Sequence, residues 1–153
     1  MKSQSSLIAV AILVGTVAGV ARADCGSATQ ITDPLTLFQT LGNNTVCVSN
    51  GSHGWESQEE HLTVPDASGY QLFDYKRGTT DPIDPRKQVG SWSISTSDAG
   101  TVVTYLYSDG GQTSGPYSFA VHNNTDGTIS FCSGAKEVVA TLKPIGSGCG
   151  AAP

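Results

Sequence analysis

From Val46 onward the chain runs in short alternating stretches of apolar and polar residues, separated by small groups of turn formers. Val46–Ser49 comes first and ends at Asn50-Gly51. Tyr70–Lys76, Val89–Thr96, Thr101–Ser108, Tyr117–Asn123, Thr128–Ser133 and Glu137–Leu142 follow, rich in Val, Ile, Thr, Tyr and Phe. Alternation with a period of two puts every second side chain on one face, the pattern of a half-buried strand. The face selected is Val46, Val48, Leu72, Trp92, Ile94, Val103, Tyr105, Phe119, Val121, Ile129, Phe131, Val138, Ala140 and Leu142, which is the expected core. Ahead of the strands, Leu35, Phe38 and Leu41 recur at helical spacing. Asp33 can cap the start of that helix, Pro34 loses no hydrogen bond at its first position, and Gly42 is a natural stop.

The run Trp55–Val64 fits two periods. As a helix it places His53, Glu56 and Glu60 near one face, with His61 adjacent. As a strand it puts Trp55, Ser57, Glu59 and His61 on one face and Glu56, Gln58 and Glu60 on the other. No segment between strands is long enough for a helical crossover, which excludes a parallel sheet. The prediction is an all-β protein: an antiparallel meander of seven or eight strands, preceded by one short helix and closing into a small barrel or sandwich.

The first residues read differently. Lys2, the apolar stretch Leu7–Val20 and Ala21-Arg22-Ala23 have the layout of a signal peptide over residues 1–23, leaving residues 24–153 as a single exported β domain. The expected location is the periplasm or the extracellular medium, with no membrane insertion after cleavage. Lys2 and Arg22 lie in the leader, so six of the eight basic residues remain against thirteen acidic ones. Nucleic acid and anionic membrane call for clustered basic charge, so neither is an expected partner.

Four cysteines in an exported chain imply two disulfides. Cys25–Cys149 with Cys47–Cys132 is the expected pairing, and Cys25–Cys47 with Cys132–Cys149 competes with it. Without CxxC spacing the cysteines do not read as a metal site.

Chemistry concentrates around residues 53–61. His53, Glu56, Glu60 and His61 form a candidate divalent-metal set, since two imidazoles and carboxylates suit zinc. In the strand reading a Glu59–His61 pair remains for proton transfer. The plain alternative is a solvated polar segment anchored by Trp55. Asp74, Asp81 and Asp84 are possible calcium ligands, but the two Asp-Pro pairs at 81–85 already account for them as turn formers. Arg86 and Lys87, with Lys76 and Arg77, are placed to pair with Glu56, Glu59 or Glu60 across strands. Aromatics, above all Trp55, Tyr75, Trp92 and Tyr105, with Tyr70, Tyr107 and Tyr117 beside them, are candidates to line a barrel mouth. His122 reads as a surface residue. No nucleophile elbow, phosphate loop or dinucleotide fingerprint is present, and no cofactor is expected beyond the possible metal.

The acidic aromatic strand followed by Val89-Gly90-Ser91-Trp92-Ser93-Ile94 and paired Tyr/Phe strands resembles small exported proteins of Gram-negative bacteria. The plan is similar to calycin-type barrels, the lipocalin and avidin group, where Gly-x-Trp opens a strand. In lipocalins that motif lies on the first strand, whereas here it opens a middle one. The resemblance implies a barrel and carries no binding residue with it. Three functions fit these patterns: an exported non-enzymatic binding barrel for a small molecule or protein partner, a metal-dependent or acid/base enzyme using the His53–His61 cluster, and a structural or inhibitory envelope protein. The first is the expectation.

Overall fold

The computed structural model describes residues 25–26, 29–52, 54–74 and 86–150. The expected signal peptide over residues 1–23, His53, Tyr75, Lys76, Arg77, Asp81 and Asp84 lie outside the described residues.

One helix, α1 (Pro34–Leu41), precedes eight strands: β1 (Asn44–Ser49), β2 (Trp55–Asp66), β3 (Gly69–Asp74), β4 (Lys87–Ser97), β5 (Gly100–Asp109), β6 (Gln112–Asn123), β7 (Ile129–Ser133) and β8 (Lys136–Pro144). Each strand pairs antiparallel with the next, and β8 returns to β1 through Val46↔Leu142 and its neighbours, closing a barrel. The choice between barrel and sandwich is thereby resolved. Closure leaves no sheet edge in the ring to recruit another chain.

Alternation predicted the interior correctly. Every residue of the expected core is either buried or packed against the buried cluster. The ambiguous Trp55–Val64 run is strand throughout. At Gly90 the β4 backbone passes so close to β5 that a Cβ would collide with the Leu106 carbonyl, so only glycine fits.

Helix α1 closes the end where β1 begins. Asp33 accepts from the Thr36 amide at 2.6 Å, capping the first turn. Leu37 and Leu41 are fully buried, and Phe38 lies over the Trp92 indole with ring centroids 5.6 Å apart. Leu35, expected on the packed face, is 61% exposed. The helix lies across the barrel end and presents Leu37, Phe38 and Leu41, one position round from the Leu35 stripe.

The lead-in to α1 is tied to the wall. Ile31 N–H donates to the Val121 carbonyl at 2.8 Å, and the Thr101 hydroxyl donates to the Thr32 carbonyl at 2.5 Å. His122, expected at the surface, is buried beneath this segment, its Nδ1 lying 3.0 Å from the Gly26 carbonyl.

Both cysteine pairings expected from the sequence are corrected. The bonds are Cys25–Cys132 and Cys47–Cys149, spanning 107 and 102 residues. Closing one loop of that length contributes about 5 kcal/mol in the chain-entropy treatment. Cys47 points outward from β1, so its bond draws residues 145–150 across the outside of β1 and β2. There the Cys149 amide donates to Gln58 Oε1 at 3.4 Å, and the Trp55 indole N–H donates to the Gly150 carbonyl at 2.9 Å. This strap explains why the outward-facing Thr45 and Gln58 are buried. Two disulfides fit an oxidising, extracytoplasmic environment. Among the described residues no helix is long and apolar enough to cross a membrane.

Candidate functional site

At the end opposite α1 the barrel is not filled. A cavity of about 370 Å³ opens there. Val46 and Val48 of β1, Phe131 of β7 and Val138 of β8 form its apolar wall, and Tyr105, Tyr107 and Phe119 complete it from β5 and β6. The rings form one cluster: Tyr105 and Tyr107 stack at 6.2 Å, and Phe119 meets Phe131 edge to face at 6.2 Å. The charged groups among the described lining residues come from β2, Glu56 and Glu59, with the Ser57 hydroxyl beside them and the hydroxyls of Tyr105 and Tyr107 from β5.

The period of two places Ser57, Glu59 and His61 inward and Gln58 and Glu60 outward. A bulge interrupts it where Ser49 pairs with Trp55 but Val48 pairs with Ser57, leaving Glu56 opposite no residue. Bulges re-aim side chains. Here the effect is to turn Trp55 outward onto the C-terminal strap and to bring Glu56 to the cavity rim.

Two hydrogen-bonded pairs lie side by side in this region. The Tyr107 hydroxyl donates to both carboxylate oxygens of Glu59, at 3.0 and 3.2 Å. His61 Nδ1 lies 3.1 Å from the Glu59 carbonyl and must donate there, so its Nε2 is the acceptor for the Tyr105 hydroxyl at 2.8 Å. Burial disfavours the imidazolium and lowers the His61 pKa to about 4, against a smaller opposing effect of the Glu59 carbonyl. His61 is therefore neutral at physiological pH. Burial, then the nearby Glu59 charge, pushes both tyrosines well above the usual phenol range. They remain neutral hydrogen-bond donors.

Among its described members the candidate metal set does not assemble. Glu60 and His61 are consecutive strand residues and face opposite sides of the barrel wall. Glu60 is buried on the outside and ion-paired with Arg86, whose guanidinium sits 4.1 Å above the Phe73 ring. This is one of the cross-strand charge pairs expected from the sequence. His61 is inside, bonded to Tyr105, while Glu56 is at the rim and His53 lies outside the described residues. Among the described residues, the one cluster of three potential metal ligands is Cys25, Cys132 and Glu137, and its sulfurs are joined to each other.

Of the aromatic candidates, Tyr105 lines the cavity. Trp92 is at the other end, fully buried, its indole N–H donating to the Leu62 carbonyl at 3.0 Å. Trp55 is on the outer face, and Tyr75 lies outside the described residues. Val46, Val48, Phe119, Phe131 and Val138 read from sequence as core only. Alternation reports that a side chain points inward, not whether the space it points into is filled. Glu59 carried the stronger signal, a carboxylate on an inward position of a strand. No family model, curated protein or solved structure matches this chain.

Proposed function

We propose that this chain is an exported binding barrel, periplasmic or secreted, that holds a small organic molecule in the end of the barrel opposite α1. The observation that carries this is the cavity itself: mostly apolar and aromatic, pre-formed, with a few fixed polar groups on one wall. Those are the properties of small-molecule sites, in which apolar area supplies affinity and a small number of polar atoms sets orientation. The closed eight-stranded meander is compatible with a binding role, as is the resemblance of the sequence to calycin-type barrels. The two disulfides favour the exported location.

An NMR fragment screen on the disulfide-bonded protein tests this. Binders should shift the amide signals of Val48, Phe119 and Val138 and leave those around Leu37 and Trp92 in place. Val138→Phe, which projects a ring into the cavity, should abolish those shifts. Fragments that bind this variant as well as wild type would refute the assignment.

A further inference from the structure

The outer face of the barrel carries a second concavity, separate from the cavity inside it. It measures about 410 Å³ and crosses β4, β5 and β6 beside the β2–β3 turn. Two bulges shape it. On β4, Val89 is an extra residue between Gln88 and Gly90, which pair with the adjacent Phe73 and Leu72. On β6, Gly115 and Pro116 together stand opposite Leu106, since Tyr105 pairs with Tyr117 and Tyr107 with Ser114. Bulges bend a strand and re-aim its side chains. Val89 packs inward on the core, which leaves Gln88 and Ser91 both on the groove side. Strand β5 serves both spaces: Tyr105 and Tyr107 face the cavity, and Leu106 and Ser108 face the groove.

The floor is Ser91 and its cross-strand neighbour Leu106. Ser91 points outward yet is only 5% exposed, and the β2–β3 turn forms the wall beside it. That wall is fixed in place. Asp66 Oδ1 accepts from the Ala67 amide at 2.5 Å, and its Oδ2 accepts from Gln88 Nε2 at 2.6 Å. Gln88 Nε2 also donates to the Gly90 carbonyl at 3.4 Å, so its Oε1 remains as an acceptor. On the far side, Ser108 pairs in register with Thr113. Among the described residues, the hydroxyls of Ser91, Ser108 and Thr113 have no hydrogen-bond partner in the protein.

A hydroxyl both donates and accepts, whereas carboxylate and amide oxygens only accept. The groove therefore presents fixed acceptors along one wall and groups of either role on its floor and far side. Adjacent hydroxyls of a sugar ring, each able to donate and accept, match that set. The C–H face of such a ring fits the Leu106 side chain. A wholly apolar molecule would strip water from Ser91 and return no hydrogen bond. We propose that this groove is a carbohydrate site. A neutral sugar ring lies over Leu106, with its hydroxyls on Ser91, Asp66 and Gln88. The site is independent of the molecule held inside the barrel.

Amide NMR shifts on the disulfide-bonded protein test this. The probes are methyl glucoside, methyl galactoside and methyl N-acetylglucosaminide, with cyclohexanol as a control bearing a single hydroxyl. At least one glycoside should move the signals of Ser91, Leu106, Ser108 and Thr113 along a saturating curve, and cyclohexanol should not. Ser91→Ala should weaken that binding about fivefold, the effect of losing one hydrogen bond. A tetrasaccharide of the bound sugar then identifies the source. Tighter binding than the methyl glycoside marks a glycan chain, and equal or weaker binding marks a free sugar. If no glycoside moves these signals at tens of millimolar, the proposal falls. It falls equally if cyclohexanol moves them as strongly, if Ser91→Ala binds as wild type does, or if the shifts appear at Val48, Phe119 and Val138 instead. None of those results removes the reading of the inner cavity, which the fragment screen tests separately.

Discussion

At the α1 end of the barrel, Leu37, Leu41 and Trp92 retain no accessible surface, and Phe38 and Tyr70 press on the indole with centroids 5.6 and 5.3 Å away. At the other end, Tyr107 and Phe119 face about 370 Å³ of open space. The same strands run through both regions, and both are lined with aromatics. The difference lies in what was added: a helix supplies the missing atoms at one end, and nothing among the described residues does so at the other. Between them sits the His61–Tyr105 pair, touching Trp92 on one side at 5.3 Å and the cavity rings on the other. Close packing is concentrated at the first end, while the second keeps a void of a kind that a well-packed core lacks.

The strongest way to break this comparison is at the filled end. Trp92→Ala removes a fully buried indole and should cost about 3–5 kcal/mol in urea unfolding. A loss near that of a surface substitution would mean that the helix end is not the stable one.

Next comes the boundary. The folded-state pKa of His61 is about 4, below the ordinary 6.5, so on acidification the unfolded chain takes up the proton first. The stability tied to neutral His61 is complete above about pH 6.5, falls as pH drops toward 4, and amounts to about 3 kcal/mol. Urea midpoints between pH 7 and pH 4 should therefore fall more steeply for wild type than for His61→Gln. Parallel slopes would show that the imidazole is not held neutral.

The smallest stability effect belongs to the open end. Val138→Phe should change unfolding free energy by less than about 1 kcal/mol, because the added ring enters a void rather than an occupied core. The same variant should block binding. A large destabilisation would mean that this space is closed in solution.

Much of this contrast was legible in the sequence and part was not, for local reasons. Strand alternation is a backbone property of period two, so Val46, Trp92, Tyr105 and Phe131 could be assigned inward without knowing the fold. Trp55 could not be, because one bulge residue at Glu56 reverses the period and alternation does not register it. Leu35 was misplaced because a helix of eight residues has no long stripe to fix its rotation. His122 owes its burial to a segment more than ninety positions away in sequence, its Nδ1 meeting Thr29 Oγ1 across a separation of 93. The filled and unfilled ends looked alike for a similar reason: a residue pattern records direction, and a void is a fact about several strands at once.

The two long disulfides bear on how such a barrel comes to exist. Each joins an early cysteine to a late one, Cys25 to Cys132 and Cys47 to Cys149. During synthesis the two early thiols are available to one another long before either proper partner has been made. A correct set of bonds can form only after β7 and the C-terminal strap have reached their places, so covalent locking records that the ring has closed. Any Cys25–Cys47 bond made earlier has to be exchanged by thiolate attack before both final pairs can form.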